Sequence, residues 1–407
     1  MAQSHILPCP LIPVSRMRLA SCLLSALCVV PVFCPGSGLA AELLPFQQLP
    51  DLPTNTSLTL GNTTYDPPEN LEAMPFLSGG VALDNFGGHD DQGRFASAIN
   101  FRGLLDPSDL LSLRSMGSAE AGHYHWGTYH LAVGPWASRL GVILSDMSYE
   151  LGDELKPLDA KGKTRTLSAF IHQPLLHTGT FRLSARLQFD DKRLQDEVGV
   201  LALNSEKRSR VLDYGLTGTL QDPLLSGATT RIAVNWREGS LNIDGSPWSL
   251  VGRADPGQFH ILRASLTRLQ QLSERLALYL RAQGQWTDDN LDDSEKLYIG
   301  GVFGTRSTNQ TAVFGDRGWL ANLELRYRLT DTWQLVAFAD HGEARLNTPS
   351  WTVGEATRRL SASGVGAGWS AGAWNISTLA GWEIGGRKAE SSAQRQPRLW
   401  TQLAYSF

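Results

Sequence analysis

The groups in this chain that could do chemistry are few, and each has a plain structural reading beside it. Gly368-Trp369-Ser370-Ala371-Gly372 fits the Gly-x-Ser-x-Gly pattern of a nucleophile elbow. An elbow needs a strand, a sharp turn carrying the serine, and then a helix. Here Trp374-Asn375-Ile376-Ser377-Thr378-Leu379 follows in strand alternation, and no partner Asp and His stand in a suitable order. His123 and His125 lie two apart on one face of a strand and could share a metal ion. His130 has the opposite parity and no carboxylate joins the pair in sequence, so an aromatic-rich strand is the better reading. Asp288, Asp289, Asp292, Asp293 and Glu295 could hold Ca²⁺, but the spaced ligands and glycine of a Ca²⁺ loop are missing. A solvated acidic face is favoured. Arg182, Arg186, Arg237, Arg281, Arg326 and Arg328 fall on polar strand faces. They could set the selectivity of a pore, or line it in pairs with Glu324 and Asp190. No phosphate-binding loop is found, and the sequence implies no nucleotide, cofactor or metal.

The elements that must position these groups are strands. Trp319, Ala321, Leu323, Leu325, Tyr327 and Leu329 share one face, and Leu320, Asn322, Glu324, Arg326 and Arg328 share the other. Period two is the mark of a strand. Phe181 to Phe189 opposes Arg182 to Asp190 in the same way, and Ile232, Val234 and Trp236 oppose Arg231, Asn235 and Arg237. The segments read this way are 76–84, 94–101, 109–117, 123–133, 139–150, 163–174, 179–190, 207–219, 228–238, 258–269, 274–288, 317–329, 332–341, 359–369, 374–384 and 397–407. Alternation fails midway in 109–117 and 139–150, and Arg263 and Arg268 fall on opposite faces of 258–269. Each run is about ten residues, enough to cross a bilayer at a tilt. Short connections (175–178, 270–273, 330–331, 370–373) alternate with long ones (191–206, 239–257, 289–316, 342–358). The fold class is therefore all-β, a transmembrane antiparallel barrel of about 16 strands.

Composition agrees. The net charge of −4 lacks the basic face that nucleic acid requires. Twelve Trp suit a protein with two membrane interfaces. Arg16 and Arg18, the apolar run Leu19 to Phe33, and Gly38-Leu39-Ala40 form a secretory signal peptide over 1–40, with Met17 a candidate start. Leu19-Ala20-Ser21-Cys22 resembles a lipoprotein box but precedes the apolar run. Cys9, Cys22, Cys28 and Cys34 would leave with the signal, so disulfide and Cys-metal scaffolds are excluded. Residues 41–75, with six prolines, read as a periplasmic linker, and 76–407 as the barrel.

The longest connection runs through Ser294-Glu295-Lys296, Gly300-Gly301 and Thr305-Arg306-Ser307-Thr308 to Gly315-Asp316-Arg317-Gly318-Trp319-Leu320. With Leu83-Asp84-Asn85-Phe86-Gly87, Tyr149-Glu150-Leu151-Gly152, Phe338-Ala339-Asp340-His341-Gly342 and the terminal Phe407, the chain resembles the two-partner-secretion transporters, the haemolysin-activator-like outer-membrane proteins. The resemblance implies a 16-stranded barrel whose sixth extracellular loop folds into the lumen, latched there by Arg306 to Asp340 on a nearby strand. The parity of Asp340, shared with Phe338 and opposite to Trp333, Leu335 and Ala337, places it toward the lumen, where a buried carboxylate needs a cation. It also implies secretion of a partner exoprotein of haemolysin or adhesin type, with no enzyme activity. Leu403, Tyr405 and Phe407 would be the signal read by the barrel-assembly machinery, and lipids and lipopolysaccharide would surround the wall. The sequence departs from the family in two places. The family's loop tip carries Gly after the Arg where this chain has Ser307, and residues 41–75 are too short for the periplasmic POTRA domains. A passive porin-like channel that has lost the secretion role is the alternative.

Overall fold

An alternating chain can satisfy two solvents only if its strands close on themselves, because an open sheet would leave unpaired backbone groups in lipid. The computed structural model describes residues 67–68, 71, 74–86, 93–118, 122–150, 160–201, 203–245, 254–308, 313–348, 356–384 and 396–407. The expected signal peptide over 1–40, with its four cysteines, and most of the expected linker over 41–75 lie outside the described residues. The strands are β1 (Leu77–Asp84), β2 (Arg94–Arg102), β3 (Leu110–Ser118), β4 (Gly122–Val133), β5 (Ser138–Glu150), β6 (Ala160–His177), β7 (Phe181–Val198), β8 (Leu203–Asp222) and β9 (Ala228–Gly245). They continue with β10 (Gly257–Gln271), β11 (Leu276–Trp286), β12 (Leu297–Tyr298), β13 (Phe314–Gly315), β14 (Arg317–Arg328), β15 (Trp333–Arg345), β16 (Thr357–Ala371), β17 (Trp374–Glu383) and β18 (Arg398–Ser406). All but β12 and β13 pair with their neighbours into one closed antiparallel barrel of 16 strands, and β12 and β13 form a separate ribbon inside the β11–β14 connection. No described helix is long and apolar enough to cross a membrane.

The two faces separate as the alternation requires. Leu323, Leu325, Ile232, Val234, Leu187 and Phe189 are exposed on the outside, while Asn322, Glu324, Arg237, Arg186 and Asp190 are buried on the inside. That is the reverse of a water-soluble protein, and it fits a wall wetted by lipid. Exposed Trp333 and Trp374 stand beside the short turns, and exposed Trp236, Trp286, Trp319 and Trp382 near the opposite rim. These are two aromatic belts, where the apolar ring meets acyl chains and the indole N–H meets headgroups.

One sequence expectation needs correction, and the segments whose alternation was irregular are explained. The connections 191–206 and 239–257 are largely strand, since β6 to β9 run 18 to 20 residues. The upper halves of β7 and β8 carry charge on both faces, which hides the apolar stripe, and in β9 the stripe passes to the inner face at Leu241 and Ile243, yet the cross-strand ladder continues from Asp191↔Arg210 to Val198↔Leu203. At about 3.3 Å per residue these strands extend well past the ten or so residues a bilayer takes. The segments 109–117 and 139–150, where alternation failed, are ordinary strands whose inner face is partly apolar, with Ser112 and Arg114 among its buried residues. Met116, Ile143 and Met147 point inward and are buried in a cluster with Tyr298 of the long connection. Arg268, which confused 258–269, lies on the outer face at the turn end of β10, where it reaches Asp222 (2.8 Å) and Thr230.

Barrel closure falls on the last residue. Phe407 N–H donates to Gly79 O and Gly79 N–H donates to Phe407 O, both at 2.9 Å, extending the short β1–β18 ladder of Gly80–Asp84. The Phe407 ring lies where a side chain on residue 79 would stand, 2.8 Å from an added Cβ. Deleting Phe407, or replacing Gly79 by Val, is expected to lower the fraction of folded barrel several-fold. Heat-modifiable mobility on gels measures that fraction directly, and an unchanged fraction would show that the seam closes without this pair.

Candidate functional site

The site is built around Arg306 at the far end of the β11–β14 connection. The connection leaves β11 at Trp286, passes a single helical turn at Asp293–Glu295, runs out along β12 and returns along β13. Gly301, with φ of +90°, turns the chain, and its N–H donates to Thr308 O (3.0 Å). Gly300 bridges to Thr305. The tip thus closes without a glycine after Arg306: among the described residues the only non-glycines at positive φ are Ala137 and Leu225, so Ser307 takes an ordinary conformation. The space the tip needs comes instead from the wall. A Cβ on Gly381 would stand 2.3 Å from Arg306 O.

Arg306 is 1% exposed. Its Nη2 and Nε donate to the two Asp340 oxygens (2.6 and 2.9 Å), and its backbone N–H donates to the same carboxylate (3.1 Å). Nη1 donates to Glu324 Oε1 (2.5 Å). The guanidinium lies 3.7 Å over the Phe338 ring, which itself occupies the room left by Gly364. Arg306 O accepts from Trp400 Nε1 (2.8 Å) on β18. The register explains the grouping, because Asn322 opposes Asp340 and Glu324 opposes Phe338 across β14 and β15. Asn322 Nδ2 donates both to Asp340 Oδ1 (2.9 Å) and to Gly304 O (2.8 Å), and Arg326 pairs with Glu324 (2.9 Å). Two arginines thus face two carboxylates, with a planar two-point match at Asp340 that a lysine could not make.

A second ionic cluster holds the base of the connection, and it was not anticipated. The acidic group read as a solvated face is in part deeply buried. Asp288 alone keeps that character, with a fully exposed side chain. Glu295 (1% exposed) takes Lys192 Nζ at 2.6 Å, Arg237 at 3.3 Å and Arg263 at 3.5 Å. Its backbone oxygen accepts from Arg263 and Gln285 (2.8 and 2.9 Å). Asp292 takes Lys207 at 2.9 Å. The physical reason is the lining arginines. Arg186 and Arg237 share Asp213 at 3.2 and 2.9 Å, and the cluster stays cation-rich until Glu295 enters it. Sequence parity placed those cations inward but could not show that their carboxylate came from a loop.

Between these anchors the connection is apolar. Tyr298 and Val302 join Phe86, Trp126, Phe170, Phe338 and Trp400 in one buried cluster, with Phe303 packed against it and 6.3 Å from Phe86. The connection therefore touches β7 to β10 near its base and β1, β15, β17 and β18 at its tip, so it spans the barrel from wall to wall. Ile299 packs on Gly342, where a Cβ would stand 3.3 Å from the Ile299 Cβ. Gly315 and Gly318 lie against the β15 backbone at Arg345 and Glu343. Asp316 closes the base, accepting from Leu291 and Asn347 N–H (3.0 and 2.8 Å).

The base carries a pH dependence. Burial alone would push the Glu295 carboxyl up, but the cations of Arg237, Lys192 and Arg263 reverse it and hold it below its usual 4.5. Asp292, likewise buried, is held below its usual 3.8 by Lys207. A lowered carboxyl stabilises the docked state above its unperturbed pKa and loses that contribution as pH falls through the lowered value. Burial holds Asp316 above 3.8, which has the opposite sign and favours docking slightly as acid is added. The base is expected to stay docked from neutrality to about pH 4.5 and to release only below it. Channel conductance followed on acidification measures this, and release near pH 6 would contradict it.

The other candidates are placed as follows. The Ser370 pattern lies at a hairpin, β16 then β17, with Asn375 Nδ2 donating to Ser370 Oγ (2.7 Å), and no helix follows. His123 and His125 are on the outer face, and His123 lies 3.9 Å from Asp146, a carboxylate that the sequence did not bring to them. Among the described residues no group of His, Cys, Asp and Glu has the spacing of a metal site.

A family model described as haemolysin secretion/activation protein ShlB/FhaC/HecB matches residues 70–372. The heme/hemopexin transporter protein HuxB of Haemophilus influenzae is 25% identical over 300 residues, covering 71% of this chain and 53% of that protein. The chain thus spans about half the length of the curated relatives it matches. CdiB from Escherichia coli superposes with a TM-score of 0.67 at 17% identity, over 82% of this chain and 64% of that one. CdiB from Acinetobacter baumannii gives 0.64 at 16% identity, over 82% and 60%. BamA from Haemophilus ducreyi lacking POTRA domains 1–3 gives 0.57 at 11%, over 81% and 70%. These likenesses extend to the fold.

Proposed function

The chain belongs to the haemolysin secretion/activation family, and as an integral β-barrel of the bacterial outer membrane, and on that premise we propose that it passes a partner exoprotein from periplasm to cell surface. The observation that carries this reading is a connection laid across the lumen and held by buried ion pairs. Ion pairs, unlike a continuous packed core, can be exchanged for water or for a client's own polar groups, so the obstruction is removable. Arg306 and Asp340 serve as its latch, with Phe338 as the platform under the guanidinium. Gly300, Gly301, Gly315, Asp316, Gly318 and Gly342 let the connection turn and lie close to the wall. Once the connection moves, the inner strands offer backbone and polar side chains to an extended polypeptide. No nucleotide is needed, since folding of the client outside makes passage irreversible. Residues 1–40 act as the export signal and 41–75 as a periplasmic linker, while Leu403, Tyr405 and Phe407 present the chain to the assembly machinery.

The client is a large exported protein of haemolysin or adhesin type. The name of the HuxB relative makes a heme- or hemopexin-directed exoprotein the first to test. Co-expression of the full chain with such a partner is expected to move the partner into the medium. Partner that stays in the periplasm, together with steady small-solute conductance that ignores Arg306, would instead establish a passive channel.

A further inference from the structure

The outer wall over β2 to β8 departs from the plain apolar band. Arg165, Arg193 and Arg208 stand directly opposite one another across β6, β7 and β8 (Arg165↔Arg193 and Arg193↔Arg208), all on the outer face. Like charges opposite one another in a sheet repel. Lys161, Lys163 and Arg210 share that outer face, each within ion-pair distance of a carboxylate: Glu197 (3.7 Å), Asp146 (3.8 Å) and Asp191 (3.9 Å) respectively. Asp146 engages Arg165 (2.7 Å) and Asp191 engages Arg208 (2.9 Å), at the two ends of the row. The Arg165 side chain nonetheless stays 67% exposed.

Immediately below the row lies a groove of about 830 Å³ in the outer wall. Ile99, Leu113, Leu144 and Leu167 form its floor, His125, Asp146, Arg165 and Arg193 stand at its upper rim, and Asp191 lies beside Leu167, so that the two arginines there face two carboxylates of the lining. Gly127 deepens it by leaving space beside Leu113. An apolar trough that runs toward the membrane, capped by cations at the level where the apolar band ends, matches a molecule with acyl chains below and phosphate above.

We propose that this face is a binding site for a phosphorylated, multiply acylated lipid of the outer leaflet, of the lipid A class. Phosphate lies against Arg165 and Arg193, and an acyl chain lies over Leu113, Leu144 and Leu167. The phosphate relieves the repulsion in the arginine row, and the site fixes the height and rotation of the barrel beside its longest hairpins. The proposal uses the outer-membrane placement and is independent of the secretion reading.

The test uses the full chain purified in a neutral detergent, incubated with diphosphoryl lipid A, re-isolated by gel filtration and assayed for bound lipid. The wild type is expected to retain lipid. The pair Arg165→Gln with Arg193→Gln is expected to lose at least tenfold, and Gly127→Trp, which fills the groove and leaves the cations, several-fold. Both lie on the exposed outer face, so wild-type strand content by circular dichroism accompanies the loss. Retention equal to wild type in both variants would overturn the site. So would complete displacement by millimolar inorganic phosphate, which would reduce it to simple charge attraction, or by phosphatidylcholine, which would reduce it to apolar adhesion.

Discussion

Replacing Arg306 by Ala is expected to release the tip of the connection and to raise the released fraction at least tenfold. The substitution leaves Asp340 and Glu324 buried without their shared cation, and Phe338 without the guanidinium stacked on it. Breaking a buried pair by removing one partner costs about 3–5 kcal/mol, because the remaining charge stays uncompensated. That shifts the docked-to-released ratio by more than a hundredfold at about 1.4 kcal/mol per decade. Arg306→Lys keeps the charge but not the two-point match, so an intermediate loss is expected. Asp340→Ala should resemble Arg306→Ala, and the double variant should be no worse than either, since all three remove one interaction. Cleavage of the connection by protease added to whole cells reads release, independently of secretion. Additive losses would show that the two residues act separately.

Replacing Glu295 by Ala is expected to have the second-largest effect, and a different kind of effect. Lys192, Arg237 and Arg263 would then converge on a site with no loop carboxylate, again at about 3–5 kcal/mol. Arg237 spans both parts of this cluster, reaching Asp213 as well as Glu295, so the wall itself is strained. The expected result is a barrel that unfolds at lower temperature on heat-modifiable gels, together with a loosened loop base. Glu295→Leu combined with Lys192→Met should recover part of the loss, since an apolar pair of similar volume can replace a buried ion pair. No recovery would mean that the cations depend on Glu295 for more than charge balance. Arg306→Ala, by contrast, should leave barrel stability nearly intact if release of the tip relieves its strain.

The wall was legible because lipid and lumen impose opposite demands on alternate residues. Every segment read from alternation overlaps a barrel strand, and the largest misjudged ends lie in β7 to β9, where charge on both faces of β7 and β8 removes the contrast and the apolar face of β9 turns inward. The interior was less legible. Lys192 and Glu295 are 103 residues apart, and nothing local in Asp292-Asp293-Ser294-Glu295 distinguishes a solvated turn from a buried anchor. The available signal was an inward surplus of cations on β7, β9 and β10, which calls for a carboxylate from elsewhere. Arg306 and Asp340 came from resemblance, with parity supplying only the direction of Asp340. Glu324 shares the parity of Asn322 and Arg326, so its inward aim was readable, but its contact with Arg306 depends on how deep the tip reaches.

The most direct measurement is the conductance of the full chain in planar lipid bilayers, wild type against Arg306→Ala under the same salt and voltage. A connection that spans the lumen and is held by Arg306 gives a wild type that is closed most of the time and a variant with a larger, steadier open conductance. Equal conductance in the two would contradict the latch.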